Sequence, residues 1–401
     1  MSANYAQQVS EKHFPPAFYA LIGAQFFSGL ADNALLLLCI GILTEQGTHI
    51  WWIPLLKVFF SFSYVFLAPW VGALADRWSK PKVMRLAHVV KFVGCAMVLG
   101  EVPVPVAYAF VGLGAAIYAP AKYGWITETV SAQHLVQANS WIEVSTVGAA
   151  IFGVVLGGVL LQVPSSDALT FILLMYVLNW WSIRWVTCSQ KMNRQQTLHW
   201  QAAVLQFQSD LKLLWGDQLG RVSMTVTTIF WGLGAVMQLL VLRWAQTYLD
   251  LSLDQGAYLQ GVAGLGVILG AGWAGQKVPL AKALSVLGLG VLLGLLMPAM
   301  TLIHREWQGV IMMLGVGAIS GAFVVPMNAL LQHQGLQWLS AGRSIAVQNF
   351  NENLGILIFN AGYAILVFQA WSLSSTLALL GTMVAGAMAL IWWRHRPQPS
   401  I

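Results

Sequence analysis

An all-α integral membrane fold, twelve transmembrane helices in two pseudo-symmetric six-helix halves, is predicted by three observations on the sequence. Charged residues make up 8% of the 401 and hydrophobic residues 58%. Apolar stretches of ~20 residues, the length that crosses the hydrocarbon core as a helix, recur along the whole chain. A polar motif that begins near Gly112 is echoed about one half-length later, from Gly315, as a parallel internal repeat requires. Backbone groups have no water to bond inside lipid, so each span must be a helix or part of a closed barrel. The runs are too long and too continuously apolar for barrel strands, which alternate.

In chain order the spans are expected at 17–43, 51–75, 83–101, 104–127, 140–162 and 168–188, then at 219–246, 256–276, 281–302, 308–332, 344–368 and 371–393. The organisation that follows is a first half over 1–188, a linker over 189–218 and a second half over 219–401. Within the linker, Leu198 to Trp215 spaces apolar residues at helical intervals, which predicts an amphipathic helix along the inner membrane surface. Cations fall in alternate connections: Arg77, Lys80, Lys82 and Arg85; Lys191, Arg194 and Lys212; Lys277 and Lys282; Arg343; Arg394 and Arg396. The opposite loops hold Glu45, Glu101, Asp167, Asp250 and Asp254, with Arg305 the one clear cation. This asymmetry places both termini in the cytoplasm.

The same placement excludes nucleic acid as the reason for the net charge of +6, because the cations form no contiguous patch. Cys39, Cys95 and Cys188 show no paired or metal-ligand spacing and read as buried spectators, so neither a metal site nor a cofactor is expected. The polar N-terminus, with Glu11, Lys12, Pro15 and Pro16, is no cleavable signal peptide. Tryptophans at span ends, such as Trp51, Trp52, Trp180, Trp181, Trp392 and Trp393, are interfacial anchors.

The two copies of the internal motif share a plan. Small residues lead to a proline (Pro120, Pro326), a polar side chain follows (Lys122, Asn328), and the next span opens through an amide–acid cluster, Asn139 with Glu143 and Asn349 with Glu352. Between spans two and three, GALADRWSK (Gly72–Lys80) carries a glycine ahead of an Asp76-Arg77 pair and further cations. In a six-plus-six chain this resembles the signature loop of the major facilitator superfamily. The matching loop of the second half, Gly272 to Lys277, keeps glycines and a lysine but has no Asp-Arg pair.

Further stretches make the chain similar to the lysophospholipid transporter (LplT) family within that superfamily. They are AQFFSGLADNAL (Ala24–Leu35), YAPAKYG (Tyr118–Gly124), QANSWIEVST (Gln137–Thr146), FVVPMNALLQ (Phe323–Gln332) and AVQNFNEN (Ala346–Asn353). The resemblance implies a flippase-like secondary transporter of the bacterial inner membrane. Its cargo would be lysophospholipids, chiefly lysophosphatidylethanolamine and lysophosphatidylglycerol, moved from the outer to the inner leaflet by alternating access. Re-acylation would then fall to a separate acyltransferase/acyl-carrier-protein synthetase, and Na+ or H+ are the candidate coupling ions. The resemblance also implies a basic residue midway along span seven. Gln238 stands there, with Arg243 further on, and either is a candidate for the substrate contact.

No catalytic residue is expected. None of the eight histidines has an aspartate five residues on, and no nucleotide loop, Ser-His-Asp set or zinc helix is present. Two rival functions are proton-coupled efflux of lipophilic cations and a non-transporting scaffold for the acyltransferase. The first would not place Lys122 toward its cargo, and the second predicts binding without translocation.

Asp32 lies mid-span, where a carboxylate costs on the order of 2.5–3.5 kcal/mol on insertion scales. Gln25, Gly29 and Asp32 share one helical face, with Asn33 beside it. Asp32 would meet a headgroup ammonium or a coupling cation; otherwise it is the buried partner of Lys57, Lys91 or Lys122. Lys122, with Tyr123 next to it, suits a phosphate diester, and Pro120 loosens the helix there; the alternative is a snorkelling lysine. Asn139, Glu143 and Thr146 share a face, as do Asn349, Glu352, Asn353 and Asn360. These groups, with Asn328 and Glu128, either bind substrate or latch the halves. Asp76 and Arg77 read as gating contacts, Lys57 as a snorkelling residue and Lys91 as a structural ion pair.

Overall fold

The computed structural model describes residues 14–47, 52–187 and 200–395. Cys188, Lys191, Arg194, Arg396, Trp51, Glu11 and Lys12 lie outside them. The described residues form thirteen α-helices and no strand. Before the linker come α1 (Pro16–Glu45), α2 (Trp52–Arg77), α3 (Lys80–Leu99), α4 (Val104–Thr129), α5 (Leu135–Leu160) and α6 (Ser165–Ser182). The linker helix is α7 (Trp200–Gly216). After it come α8 (Gln218–Tyr248), α9 (Leu253–Lys277), α10 (Leu287–Ala299, preceded by a 3-10 turn over Leu280–Val286), α11 (Glu306–Trp338), α12 (Ala341–Phe368) and α13 (Leu373–Arg394).

Local chemistry sets the ends. α1, α3 and α4 carry proline in the first turn, where its missing N–H costs nothing. Asp217 caps α8 by accepting from Gly220 N at 2.7 Å, and Ser252 with Gln255 makes a capping box at α9. Eleven of the described helices are long and apolar enough to cross a membrane. α3 is not among them, because Lys80, Lys82, Arg85 and Lys91 all fall within its 20 residues. It is nonetheless packed into the bundle against α4 and α6. Its start differs from the expected 83: the helix takes in Lys80, which is 4% exposed, because its ammonium has acidic partners to bury against.

Helices approach closely where side chains are small. A Cβ on Gly270 of α9 would fall 1.8 Å from the Ala318 carbonyl oxygen of α11, and one on Gly317 would fall 2.0 Å from Ala263 O. Backbones in lipid associate through such contacts, since apolar burial alone offers no gain there. Contacts between the helices before and after α7 follow the same rule at the end of the bundle that bears α7. Gly72 of α2 lies under Arg343 and Ala346 of α12, and Gly275 of α9 lies on Ser140 of α5.

The linker helix turns Ala203, Phe207, Asp210 and Leu214, one helical face, into protein. There Phe207 and Leu214 join Ala68 of α2, Met224 of α8, Leu331 of α11 and Val347 of α12. α7 thus lies across the seam between the two groups of helices.

Candidate functional site

Two polar levels occupy the seam. At the α7 end, Asp76 accepts from Ser340 Oγ at 2.5 Å, Gly342 N at 2.9 Å and Arg343 N at 3.2 Å, capping the start of α12 from the tip of α2. Lys80 bridges Asp76 and Glu128 at 3.2 and 3.0 Å, which ties α2, α3 and α4 together. Beside them Arg343 grips Asp210 of the linker helix through two nitrogens, Nε at 2.7 Å and the second closer still. Asn139 of α5 and Gln332 of α11 exchange amide hydrogen bonds of 2.8 and 2.9 Å. Asp76 thus joins the tip of α2 to the start of α12 across the seam. Arg77 is not its partner and takes part in none of the ion pairs among the described residues. Glu128 belongs to this level through Lys80.

The second level lies deeper. Asp32 pairs with Lys91 at 2.5 Å and accepts from Tyr176 Oη at 2.8 Å, while Lys91 also donates to Ser28 Oγ at 2.9 Å. Both Asp32 oxygens are engaged, so of the readings open to it the buried lysine partner is the one this structure adopts, with Lys91 as the lysine. Gln25 donates to Thr146 at 3.1 Å, and Asn33 turns back to Gly29 O at 2.8 Å. Across the seam, Gln348 donates to Asn328 at 3.3 Å and to Glu352 at 2.8 Å. Asn349 holds a buried amide nitrogen with no partner.

Lys122 stands apart. Lys80 and Lys91 are buried with carboxylates against them; Lys122, 6% exposed, forms no ion pair among the described residues. Its ammonium lies 4.2 Å from the centre of the Tyr123 ring and 5.9 Å from that of Tyr118. Glu143 and Asp32 are the acids whose fields reach it, and Glu143 acts in turn on Glu352 across the seam. Glu143, 7% exposed, also forms no ion pair among the described residues. A buried cation on α4 and a buried acid on α5 thus lie in Coulombic range of each other with no ion pair among the described residues.

A profile of the Major Facilitator Superfamily matches residues 21–360. The lysophospholipid transporter LplT of Photorhabdus laumondii subsp. laumondii is 33% identical over 381 residues, covering 94% of this chain and 96% of that protein. The LplT of Salmonella arizonae is 34% identical over 386 residues, covering 94% and 95%. The chain belongs to the LplT family of the major facilitator superfamily. Among solved structures, a superfamily transporter in its outward conformation, FucP, superposes with a TM-score of 0.75 at 15% identity, over 95% of this chain and 98% of that one. A bacterial homologue of the iron transporter ferroportin, outward-facing, gives 0.72 at 12% identity, over 94% and 98%. At these identities the likeness is one of fold.

For this LplT-family chain, the structure gathers Lys122, Tyr123, Glu143, Asn328, Asn349 and Glu352 about the seam and leaves Gln25, Asp32 and Asn33 within the packing of α1. Asn139 is held at the α7 end by Gln332. Of the two candidates on α8, Gln238 faces α2, where it accepts from Lys57 Nζ at 2.8 Å; Arg243 is exposed and makes no such contact. Sequence reasoning missed Lys80, Tyr176, Gln332, Ser340 and the Asp210–Arg343 pair. Gln332 and Lys80 stand in quoted motifs, but nothing in the sequence names their partners.

Proposed function

We propose that this protein is a flippase-like secondary transporter of lysophospholipids, with Lys122 receiving the phosphate and Glu143, aided by Glu352, receiving the ammonium of an ethanolamine headgroup. The observation that carries this is the buried Lys122 ammonium, which has no ion pair among the described residues and lies in Coulombic range of Glu143. A phosphate diester supplies the missing charge and accepts strong charge-assisted hydrogen bonds. An efflux site for lipophilic cations would not keep an uncompensated lysine toward its cargo.

Supporting this reading, the LplT relatives named above cover nearly the whole chain. On this reading α3 is the twelfth span, residues 1–188 and 219–401 are the halves that rock, and 189–218 is their cytoplasmic linker. Both termini are then cytoplasmic, and the gate at the α7 end is the inner gate, shut here, so that substrate enters from the outer leaflet. The inward product is consumed by a separate acyltransferase, and Na+ or H+ is a candidate coupling ion.

The test is inward movement of labelled lysophosphatidylethanolamine in vesicles free of other flippases, comparing wild type with Lys122→Gln and Glu143→Gln. Saturable movement by wild type and at least a tenfold loss in each variant is expected, as for removal of a charged hydrogen-bond partner. Undiminished movement after joint replacement of Asp32, Lys122 and Glu143 would refute the pocket.

A further inference from the structure

Lys57 is a second cation of the seam, and the proposed pocket leaves it unused. It lies near the start of α2, exposed, and among the described residues it forms no ion pair. It points across the seam to α8, where Gln238 Oε1 accepts its proton at 2.8 Å. Gln260 of α9 holds the same point from the other side, donating to the Gln238 carbonyl at 2.7 Å. A lysine anchoring itself at a lipid surface would turn outward; this one spans the gap between the two groups of helices.

Its height follows from the gate. Lys80 ties Asp76 of α2 to Glu128 of α4, so those residues lie at one level. At 1.5 Å of rise per residue, Lys57 is then roughly 20 Å further from the gate than Lys122. The two walls between them are polar at matching intervals. Tyr64 stands two turns from Lys57 on the same face of α2. Trp231, two turns from Gln238 on α8, holds a buried indole N–H with no partner. Lys57 Nζ, Gln238 Nε2 and Trp231 Nε1 are all donors, and a phosphate is an acceptor at every oxygen.

We propose that Lys57 and Gln238 form a capture station for the phosphate of an incoming single-chain phospholipid, ahead of Lys122; this rests on the transport reading above. The phosphate takes the place of the Gln238 carboxamide oxygen on Lys57, and the Gln238 Nε2 donors turn onto it. The bridge between α2 and α8 opens as the ligand enters. A glutamine opposite the lysine suits this role because it holds the ammonium without neutralising it, whereas a carboxylate would compete with the phosphate.

The test measures concentration dependence of uptake for lysophosphatidylglycerol and lysophosphatidylethanolamine, with phosphate-free monoacylglycerol as competitor. Lys57→Gln is expected to raise the half-saturating concentration about tenfold, as loss of one charged hydrogen bond does, with little change in the maximal rate. The anionic headgroup should suffer more than the zwitterionic one, and inhibition by monoacylglycerol should not change. Gln238→Glu should have the same sign of effect, and the exchange Lys57→Gln with Gln238→Lys should recover most of the loss. A purely structural bridge would alter both headgroups and the competitor alike. Wild-type transport with Lys57→Gln indistinguishable from it overturns the station alone. A wild type that moves neither lipid overturns the transport reading and the station together.

Discussion

Asn139 and Gln332 close a ring of two amide hydrogen bonds across the seam, 2.8 Å in one direction and 2.9 Å in the other. Both side chains are buried, so neither can turn to water if its partner is removed. Asn139→Ala should therefore penalise the gate-closed state by about 1–3 kcal/mol, and shift the population toward the gate-open state by about 5- to 150-fold. Labelling of a cleft cysteine by a membrane-impermeant reagent, applied from each side in turn, reads that shift. Unchanged labelling would mean the pair carries none of the closure.

Asp76 and Arg77 are adjacent in sequence and should differ sharply in effect. Asp76→Ala removes the acceptor for Ser340, Gly342 N and Arg343 N and leaves Lys80 with the Glu128 carboxylate and the Ala75 carbonyl. A loss of at least tenfold in transport rate is expected, since the buried donors of α12 lose their cap. Arg77→Ala should stay within about threefold, since this half-buried charge has no ion pair among the described residues to lose. Equal effects would disprove the assignment of the gate to Asp76.

The Asp32–Lys91 pair gives a prediction of opposite sign for one substitution and for two. Asp32→Asn leaves Lys91 buried without a counter-ion, which costs roughly 3–5 kcal/mol; Asp32→Asn with Lys91→Met removes both charges and should recover most of that stability. Thermal unfolding in detergent measures it. If transport returns with stability in the double variant, Asp32 serves the packing of α1; if stability alone returns, its charge serves the cargo.

The helices themselves were legible because lipid imposes one pattern, a long apolar run, and eleven of the described helices obey it. The internal repeat pointed to the seam through Lys122, Glu143, Asn328 and Glu352. What was not legible was partnership. Helical spacing says which residues share a face, but the neighbour that face meets comes from elsewhere in the chain, as with Asp210 and Arg343 or Asp32 and Tyr176. Lys80 was read as a loop cation for the same reason: its burial depends on Glu128, in a different helix. Nor does the sequence pair Gln238 with Lys57, whose contact spans two helices from different parts of the chain.

Closure also involves the linker. Arg343→Ala leaves Asp210, 3% exposed, as a buried charge beneath the seam, and α7 should detach there with its Phe207 ring, which packs edge-on against Phe350 at 5.2 Å. Faster amide exchange over Trp200–Gly216, with the gate-open state enriched, is expected. Asp210→Asn should do the same more weakly, because no charge is stranded in α7. Protection unchanged in both would show that the apolar contacts alone hold the helix.

The cation load of α3 has a meaning for how the chain is made. A segment with Lys80, Lys82, Arg85 and Lys91 is a poor substrate for the insertion machinery when offered alone, since a lysine at the bilayer centre costs on the order of 2.5–3.5 kcal/mol. α1 is synthesised first, so Asp32 is already in place when Lys91 emerges and can receive it at 2.5 Å. If α3 is a span, as proposed above, the carboxylate would act as a biogenesis partner, drawing a reluctant segment into the bilayer and with it the orientation of the loops that follow. Variants of Asp32 therefore need a topology reporter in the loop after Leu99, because a chain threaded the wrong way and a chain with a damaged pocket are both silent in a transport assay.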